Sequence, residues 1–177
     1  MFDVLSRMIR TGILTESSTT RLEEIPAVET LHKDLLKVLG RALCIRHVDA
    51  GSCNGCELEI QALNNPYYNL EGIGIKFVAS PRHADLLLVT GPVSVNMEEA
   101  LKRTYDAVPD PKLVIAVGDC GGCGGVFGES YASRGAVANV IPVNYTVRGC
   151  PPNPTAILQA IVQLVHSVPI AAQSASM

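Results

Sequence analysis

Two short, continuously apolar runs constrain the fold of this chain more than any other feature of its sequence. Leu86–Thr90 and Leu113–Val117 are rich in residues that favour strands, and turn residues bound each run. Such runs are typical of strands buried on both faces of a parallel sheet. Segments with helical periodicity surround them: Glu57–Leu63, Met97–Ala107 and Thr155–Val165. Strands that alternate with helices predict an α/β fold with a mostly parallel sheet and flanking helices.

Weaker signals complete this pattern. Three further segments are predicted as strands: Cys44–Val48, Ile75–Ala79 and the short Val140–Val143. Ser80–Ala84, which contains a proline, is predicted as a loop. Asp119–Gly125 holds four glycines and two cysteines, so we expect a loop there as well.

The chain divides into three parts of different composition. Residues 1–40 are predicted as an N-terminal helical and linker segment that docks on a partner, with a helix over Glu29–Leu39. Packing of this segment on its own domain is the alternative. Residues 41–168 form the expected α/β domain, and residues 169–177 are expected to be a flexible tail.

Composition and charge exclude several functional classes. The formal net charge of −3 offers no basic surface for a nucleic-acid backbone. The apolar stretches are too short, or too interrupted, to span a membrane. The first residues lack the features of a secretory signal, so we expect a cytoplasmic chain.

Four of the six cysteines fall where predicted strands end or where the last helix is about to begin. Cys53 and Cys56 follow the first strand, Cys120 follows the strand at Leu113–Val117, and Cys150 precedes the last helix. Ligands of open α/β sheets bind beyond the carboxyl ends of the strands. Because cytoplasmic thiols are kept reduced, metal or redox chemistry is a better interpretation than disulfides.

The spacing of these four cysteines favours an iron–sulfur cluster. The gaps from Cys56 to Cys120 and from Cys120 to Cys150 are far longer than those of a zinc ribbon or a bacterial ferredoxin. A thiol oxidoreductase that used only Cys53 and Cys56 would leave the other two unexplained. Since a [4Fe–4S] cluster needs four thiolates, the sequence predicts one cluster at the carboxyl rim of the strands.

The remaining two cysteines are interpreted separately. Cys44 lies among apolar residues of a predicted strand, which is typical of a buried small hydrophobic residue. Cys123 forms a second C-x-x-C pair with Cys120, so it is a possible fourth ligand in place of Cys150. We favour Cys123 as a free thiol or one that lies beside the cluster.

Four segments carry a resemblance to a known family: Cys53–Glu59, Ser80–Asp85, Gly118–Cys120 and Gly149–Pro154. On these segments the chain resembles the small subunit of energy-converting, membrane-bound [NiFe] hydrogenases of the formate hydrogenlyase and CO-induced types. That subunit belongs with the 20 kDa cluster-bearing subunit of respiratory complex I. We expect a flavodoxin-like sheet. The resemblance implies that the family's ligands fall on the same four cysteines: Cys53, Cys56, Cys120 and Cys150.

The resemblance also implies a function. The chain would be an electron-transfer subunit with no catalytic residue of its own. Its single proximal [4Fe–4S] cluster would carry electrons between a ferredoxin-like two-cluster subunit and the Ni–Fe site of a large subunit. The complex would reduce protons and translocate ions through membrane subunits, with this chain peripheral on the cytoplasmic side. A nickel-free, complex I-like quinone or sulfur reductase is the alternative. The spaced pair Cys53 and Cys56 favours the hydrogenase, because the complex I subunit has two adjacent cysteines there.

Four charged residues are candidates for a supporting role near the cluster. Glu57 and Glu59 either provide favourable charge at the start of a helix or lie at the large-subunit interface. Arg82 and His83 either lie at a coupling interface, belong to a solvated loop or form a structural ion pair with Asp85.

Overall fold

The computed structural model describes residues 41–167. The helix expected at Glu29–Leu39, the docking segment at 1–40 and the tail at 169–177 lie outside the described residues. No helix in the described range is long and apolar enough to cross a membrane.

A five-stranded, all-parallel sheet forms the centre of the fold, in the strand order β2-β1-β3-β4-β5. The strands are β1 Leu43–Asp49, β2 Ile75–Phe77, β3 Leu86–Thr90, β4 Leu113–Val117 and β5 Tyr145–Val147. This order is that of flavodoxin-like sheets, in which ligands bind where the order reverses between β1 and β3. The predicted α/β fold is confirmed.

Helices cover both faces of the sheet. They are α1 Gly55–Ala62, α2 Leu70–Ile73, α3 Val95–Ala107, α4 Gly118–Cys123 and α5 Pro154–Ser167, with 3₁₀ turns at Pro81–His83 and Val137–Asn139.

Successive residues of the central strand β3 point into two separate cores. Leu86 and Leu88 pack with residues of α1, α2 and α5, whereas Leu87 and Val89 pack with Leu101 of α3 on the opposite face. Every residue of β3 is buried. Burial on both faces is the physical reason for the continuous apolar run that predicted this strand.

The loop predicted at Asp119–Gly125 is wrong, because α4 occupies Gly118–Cys123. Glycine is a poor helix former, but tertiary packing overrides that propensity here. Gly121 is buried, and a Cβ atom built on it would lie 3.5 Å from the Val89 carbonyl oxygen. The helix thus fits closely over the end of the sheet.

The strand predicted at Val140–Val143 is also wrong. Ile141 is buried in the α3-side core from irregular backbone, and the fifth strand begins later, at Tyr145. In β5 only Val147 is buried, so this edge strand lacks an apolar run that a sequence pattern would reveal. The short helix α2 had no prediction, and the predicted loop at 80–84 contains a 3₁₀ turn.

Candidate metal centre

Four cysteines from three separate segments line one cavity of about 130 Å³. Cys53 lies in the turn before α1, Cys56 in the first turn of α1, Cys120 in α4, and Cys150 in the loop between β5 and α5. All three segments follow strands of a parallel sheet, so their thiols meet at its carboxyl edge. The structure therefore brings together all four residues that the sequence analysis grouped.

A tight turn after β1 positions Cys53. The Asp49 carboxylate accepts hydrogen bonds from the backbone N–H groups of Gly51 and Ser52, each at 2.8 Å. The Ser52 hydroxyl in turn accepts a bond of 3.2 Å from the N–H of Asn54. Burial raises the pKa of Asp49, but the Ser52 and Gly51 donors outweigh it and hold the net pKa below its usual range. The turn thus favours the charged carboxylate.

Glycine leaves room for sulfur at the centre of the site. Gly118 begins α4 with a φ of 82°, which glycine adopts more readily than any other residue. A Cβ atom built there would lie only 2.7 Å from the Cys56 sulfur. Any side chain at this position would push against a thiol of the cavity.

The cavity places its buried thiols in an environment that opposes ionisation. Burial raises the pKa of Cys56 to about 12, and the Glu57 carboxylate and the other three cavity thiols act in the same direction. Burial is also the main cause that raises the pKa of Cys120, and the neighbouring thiols of Cys150 and Cys53 raise it further. Thiols bind metal as thiolates, so binding of a metal group here would release protons and would need cationic charge that offsets the repulsion.

The arrangement fits a cluster better than a single ion. Within residues 41–167, no three His, Cys, Asp or Glu side chains converge closely enough to hold one metal ion. A zinc site needs its ligands about 2.0–2.3 Å from a common centre. An iron–sulfur cluster is larger, and each thiolate can bind a different iron atom. Four thiols spread around one cavity, with a glycine where a Cβ would intrude, are suited to that larger group.

The other two cysteines do not line the cavity. Cys123 is exposed at the end of α4, where its thiol donates a 3.2 Å hydrogen bond to the Asp119 carbonyl oxygen. Cys44 is half-buried near the start of β1, not fully buried as expected, with its sulfur 3.8 Å from the Ala42 carbonyl oxygen. Cys150, and not Cys123, completes the set of four around the cavity.

A buried carboxylate lies directly beside the cavity thiols. Glu57 is 7% exposed, and within the described part of the chain neither of its carboxylate oxygens has a hydrogen-bond partner. The Nε2 atom of His47 lies 3.8 Å from this carboxylate and 3.1 Å from the Thr90 hydroxyl. Burial lowers the pKa of His47 below its usual range, although Glu57 and Asp49 oppose this shift. Glu59, on the same helix, is half-buried.

Arg82 and His83 lie away from the four cavity cysteines. Both are exposed on the 3₁₀ turn that precedes the start of β3, whereas the cavity cysteines follow strand ends. A strand of this length spans about 17 Å, at roughly 3.3 Å per residue. The ion pair of Asp85 is with Arg41 and not with either of these two residues.

Sequence reasoning overlooked the supporting roles of two polar residues. Thr90 ends the apolar strand β3 and is fully buried, and its hydroxyl is the hydrogen-bond partner of His47. Asp119 lines the cavity and bonds to the Cys150 loop. A polar residue at the end of an apolar strand was the available signal for Thr90. Asp119 precedes a cavity cysteine but gives no sign in the sequence of its distant partner.

An open parallel sheet with a four-cysteine cavity at its carboxyl edge defines a small α/β subunit with a candidate metal centre. Residues 53–164 match the family described as NADH ubiquinone oxidoreductase, 20 Kd subunit. The chain belongs to this family.

Relatives within and around the family are subunits of large oxidoreductases. The chain is 47% identical to the probable membrane-bound hydrogenase subunit mbhJ of Pyrococcus furiosus, over 81% of this chain and 86% of that protein. It is 42% identical to formate hydrogenlyase subunit 7 of Escherichia coli over 75% of this chain, which spans about half (52%) of that relative. Among solved structures, a chain of the archaeal membrane-bound sulfane sulfur reductase matches with a TM-score of 0.63 and 32% identity, over 77% of this chain and 73% of that one.

Proposed function

We propose that this chain is the electron-transfer subunit of a membrane-bound, hydrogenase-type oxidoreductase and carries one [4Fe–4S] cluster. The observation that supports it is the convergence of four thiols on one cavity: Cys53, Cys56, Cys120 and Cys150. A cluster held by four thiolates supplies reversible electron transfer. The chain's own part is to hold the group and to set its surroundings.

The four thiols differ in exposure, which gives the site an inner and an outer side. Cys56 is buried and Cys120 is half-buried, so these two anchor the group against the end of the sheet. Cys53 and Cys150 are exposed and lie on the side that a partner subunit can approach. Electron transfer between subunits needs such an open side, whereas the buried side keeps water away from the sulfur atoms.

The complex that fits best is a proton-reducing, ion-translocating hydrogenase. Two relatives at 47% and 42% identity have names that describe hydrogenase or formate hydrogenlyase subunits. The spaced pair Cys53-x-x-Cys56 favours the same branch. The proposed partners are a large subunit with a Ni–Fe site, a ferredoxin-like two-cluster subunit and membrane subunits. They would hold this chain on the cytoplasmic face of the membrane.

A nickel-free reductase is the second candidate. The structural match to the sulfane sulfur reductase, at 32% identity, favours this alternative. In that case the same cluster would serve a large subunit without nickel. The cysteine site of this chain is compatible with both complexes, so the distinction depends on the partner.

Metal analysis of the intact complex tests both the presence of the cluster and the type of complex. The complex is purified anaerobically through this chain, and iron, acid-labile sulfide, zinc and nickel are measured. Iron with sulfide, and nickel equimolar with this chain, are expected. Iron and sulfide without nickel in fully assembled material would contradict the hydrogenase and favour the nickel-free reductase. Zinc bound to this chain, with no cluster signal that depends on Cys150, would contradict the cluster itself.

A further inference from the structure

Asp119 ties together two of the segments that carry the cavity cysteines. Its backbone N–H donates to the Gly149 carbonyl oxygen at 2.9 Å, and its carboxylate accepts the Gly149 N–H at 3.0 Å. Cys120 and Cys150 each follow one residue later in the sequence. Two bonds between one pair of residues therefore fix the spacing of two thiols from distant parts of the chain.

Gly149 is adapted to this contact. Its φ is 130°, and a Cβ atom built there would lie 2.7 Å from the Cα atom of Pro152. Because neither the φ nor the space suits a side chain, glycine is the residue that can turn its N–H toward Asp119 here. The clamp, by which we mean the two hydrogen bonds between Asp119 and Gly149, thus depends on both residues.

The Asp119 carboxylate also brings negative charge to the cavity. It lines the cavity together with the four thiols, and in the described structure no cationic side chain forms an ion pair with it. A second aspartate, Asp85, forms the same type of clamp with Cys44, at 2.8 Å and 3.0 Å, but Arg41 neutralises its charge. The difference between the two aspartates is charge compensation, not hydrogen-bond geometry.

We propose that Asp119 is a positioning residue for the cluster that also lowers its reduction potential. The clamp holds the Cys120 and Cys150 thiols at the spacing that the cluster needs. The uncompensated carboxylate disfavours the extra electron of the reduced state, because like charges repel most strongly in poorly solvated surroundings. This inference rests on the proposed function, since it assumes a cluster bound by the four thiols.

Two substitutions separate the clamp from the charge. Asp119→Asn keeps a carbonyl oxygen that can accept the Gly149 N–H but removes the charge. Asp119→Ala removes the charge and the side-chain hydrogen bond of the clamp, and keeps only the backbone bond to the Gly149 carbonyl oxygen. Asp85→Asn removes a carboxylate charge from a similar clamp at the opposite end of the strands from the four cavity cysteines, and it serves as the matched control. All three are introduced into the intact, anaerobically purified complex.

The readouts are the reduction potential of this cluster, from an EPR-monitored titration, and its rate of loss to an iron chelator. The signal of this cluster is the one that disappears in Cys150→Ser. We expect Asp119→Asn to retain the cluster with a more positive potential, and Asp119→Ala to lose it several-fold faster. Asp85→Asn should leave both readouts unchanged.

Four results would contradict the inference and leave the proposed function intact. Three are an unchanged potential in Asp119→Asn, an equal positive shift in Asp85→Asn, and wild-type chelator resistance in Asp119→Ala. The fourth is loss of the cluster from Asp119→Asn, because the hydrogen-bond acceptor remains in that variant. If the wild-type complex had no signal dependent on Cys150, the proposed function itself would fail, which is a distinct outcome.

Discussion

At each end of the central sheet, an aspartate forms two reciprocal hydrogen bonds with the backbone of a residue distant in sequence, but within residues 41–167 the charge of only one aspartate is paired with a cation. At the amino end, Asp85 bonds reciprocally to the backbone of Cys44 and pairs with Arg41. At the carboxyl end, Asp119 bonds reciprocally to Gly149, and no cationic side chain of the described residues forms an ion pair with it. Two clamps of the same hydrogen-bond pattern thus differ in the charge that they leave beside their surroundings, depending on whether a cation pairs with the carboxylate.

The ends also differ in how completely their polar groups are satisfied. At the amino end, Asn144 accepts the Val114 N–H at 2.8 Å and returns a backbone bond of 2.9 Å, which fixes the entry to β5. At the carboxyl end, the buried Glu57 carboxylate has no hydrogen-bond partner within the described residues. Burial of a carboxylate without a hydrogen-bond partner is more costly than burial of a neutral polar group, and such a cost is expected at functional sites more than in scaffolds.

The largest expected effect is loss of the cluster signal when a cavity cysteine, but not another cysteine, is replaced. Cys56→Ser or Cys120→Ser should abolish the EPR signal of this cluster in the anaerobic complex, because each removes a thiolate from the cavity. Cys44→Ser at the amino end and Cys123→Ser on α4 should retain the signal, since neither thiol lines the cavity. Loss of the signal in Cys123→Ser would show that the ligand set is misassigned.

Thiol reactivity should differ by orders of magnitude once the iron is removed. Cys56 has a pKa of about 12, so about one thiol in 10⁴ is ionised at pH 8. Alkylation followed by mass spectrometry should find Cys56 the slowest of the four cavity cysteines, and exposed Cys53 much faster. The Cys56 rate should rise about tenfold per pH unit from pH 8 to 10, because only the thiolate reacts. A rate that levels off below pH 9 would contradict the buried environment.

A smaller effect, a several-fold faster loss of the cluster, should follow from one added methyl group. Gly118→Ala places a Cβ 2.7 Å from the Cys56 sulfur and should accelerate cluster loss to a chelator. Gly128→Ala is the matched control, because Gly128 also has a positive φ, of 55°, but nothing within 4 Å of the built Cβ. Equal loss rates in the two variants would mean that backbone strain, and not contact with sulfur, governs the effect.

The smallest effect, a slight loss of stability, should come from a substitution at the amino end of the sheet. Arg41→Ala breaks an ion pair whose arginine side chain is 64% exposed, so the loss of unfolding free energy should be about 0.2–1 kcal/mol. The reduction potential of the cluster should stay unchanged, because this pair lies at the far end of the strands. Thermal denaturation and the EPR titration check the two statements separately. A shift in potential would show that the two ends are electrostatically coupled.

The sequence predicted the elements that carry the core better than those that complete the site. Strands β3 and β4 have the predicted bounds, because burial on both faces leaves an unambiguous apolar run. The convergence of the four cysteines was predictable for a related reason, since parallel strands end at the same edge. Ligation by those cysteines stays a prediction.

What the sequence did not reveal depends on contacts between distant residues. Helix α4 forms through glycines because its packing on the sheet overrides their propensity. The clamp joins residues thirty positions apart, and the proximity of His47 to Glu57 depends on how α1 packs against β1. No local pattern encodes such pairs, so they become visible only in three dimensions.

The strand order makes the cavity depend on the whole sheet. The cavity cysteines follow β1, β4 and β5, and β3 separates β1 from β4 in the sheet. The spacing between the Cys53–Cys56 segment and the other two segments is therefore set by β3, which carries no cavity cysteine. A substitution that shifts the pairing of β3 with either neighbour would displace thiols that it does not touch, because each strand fixes the position of the next.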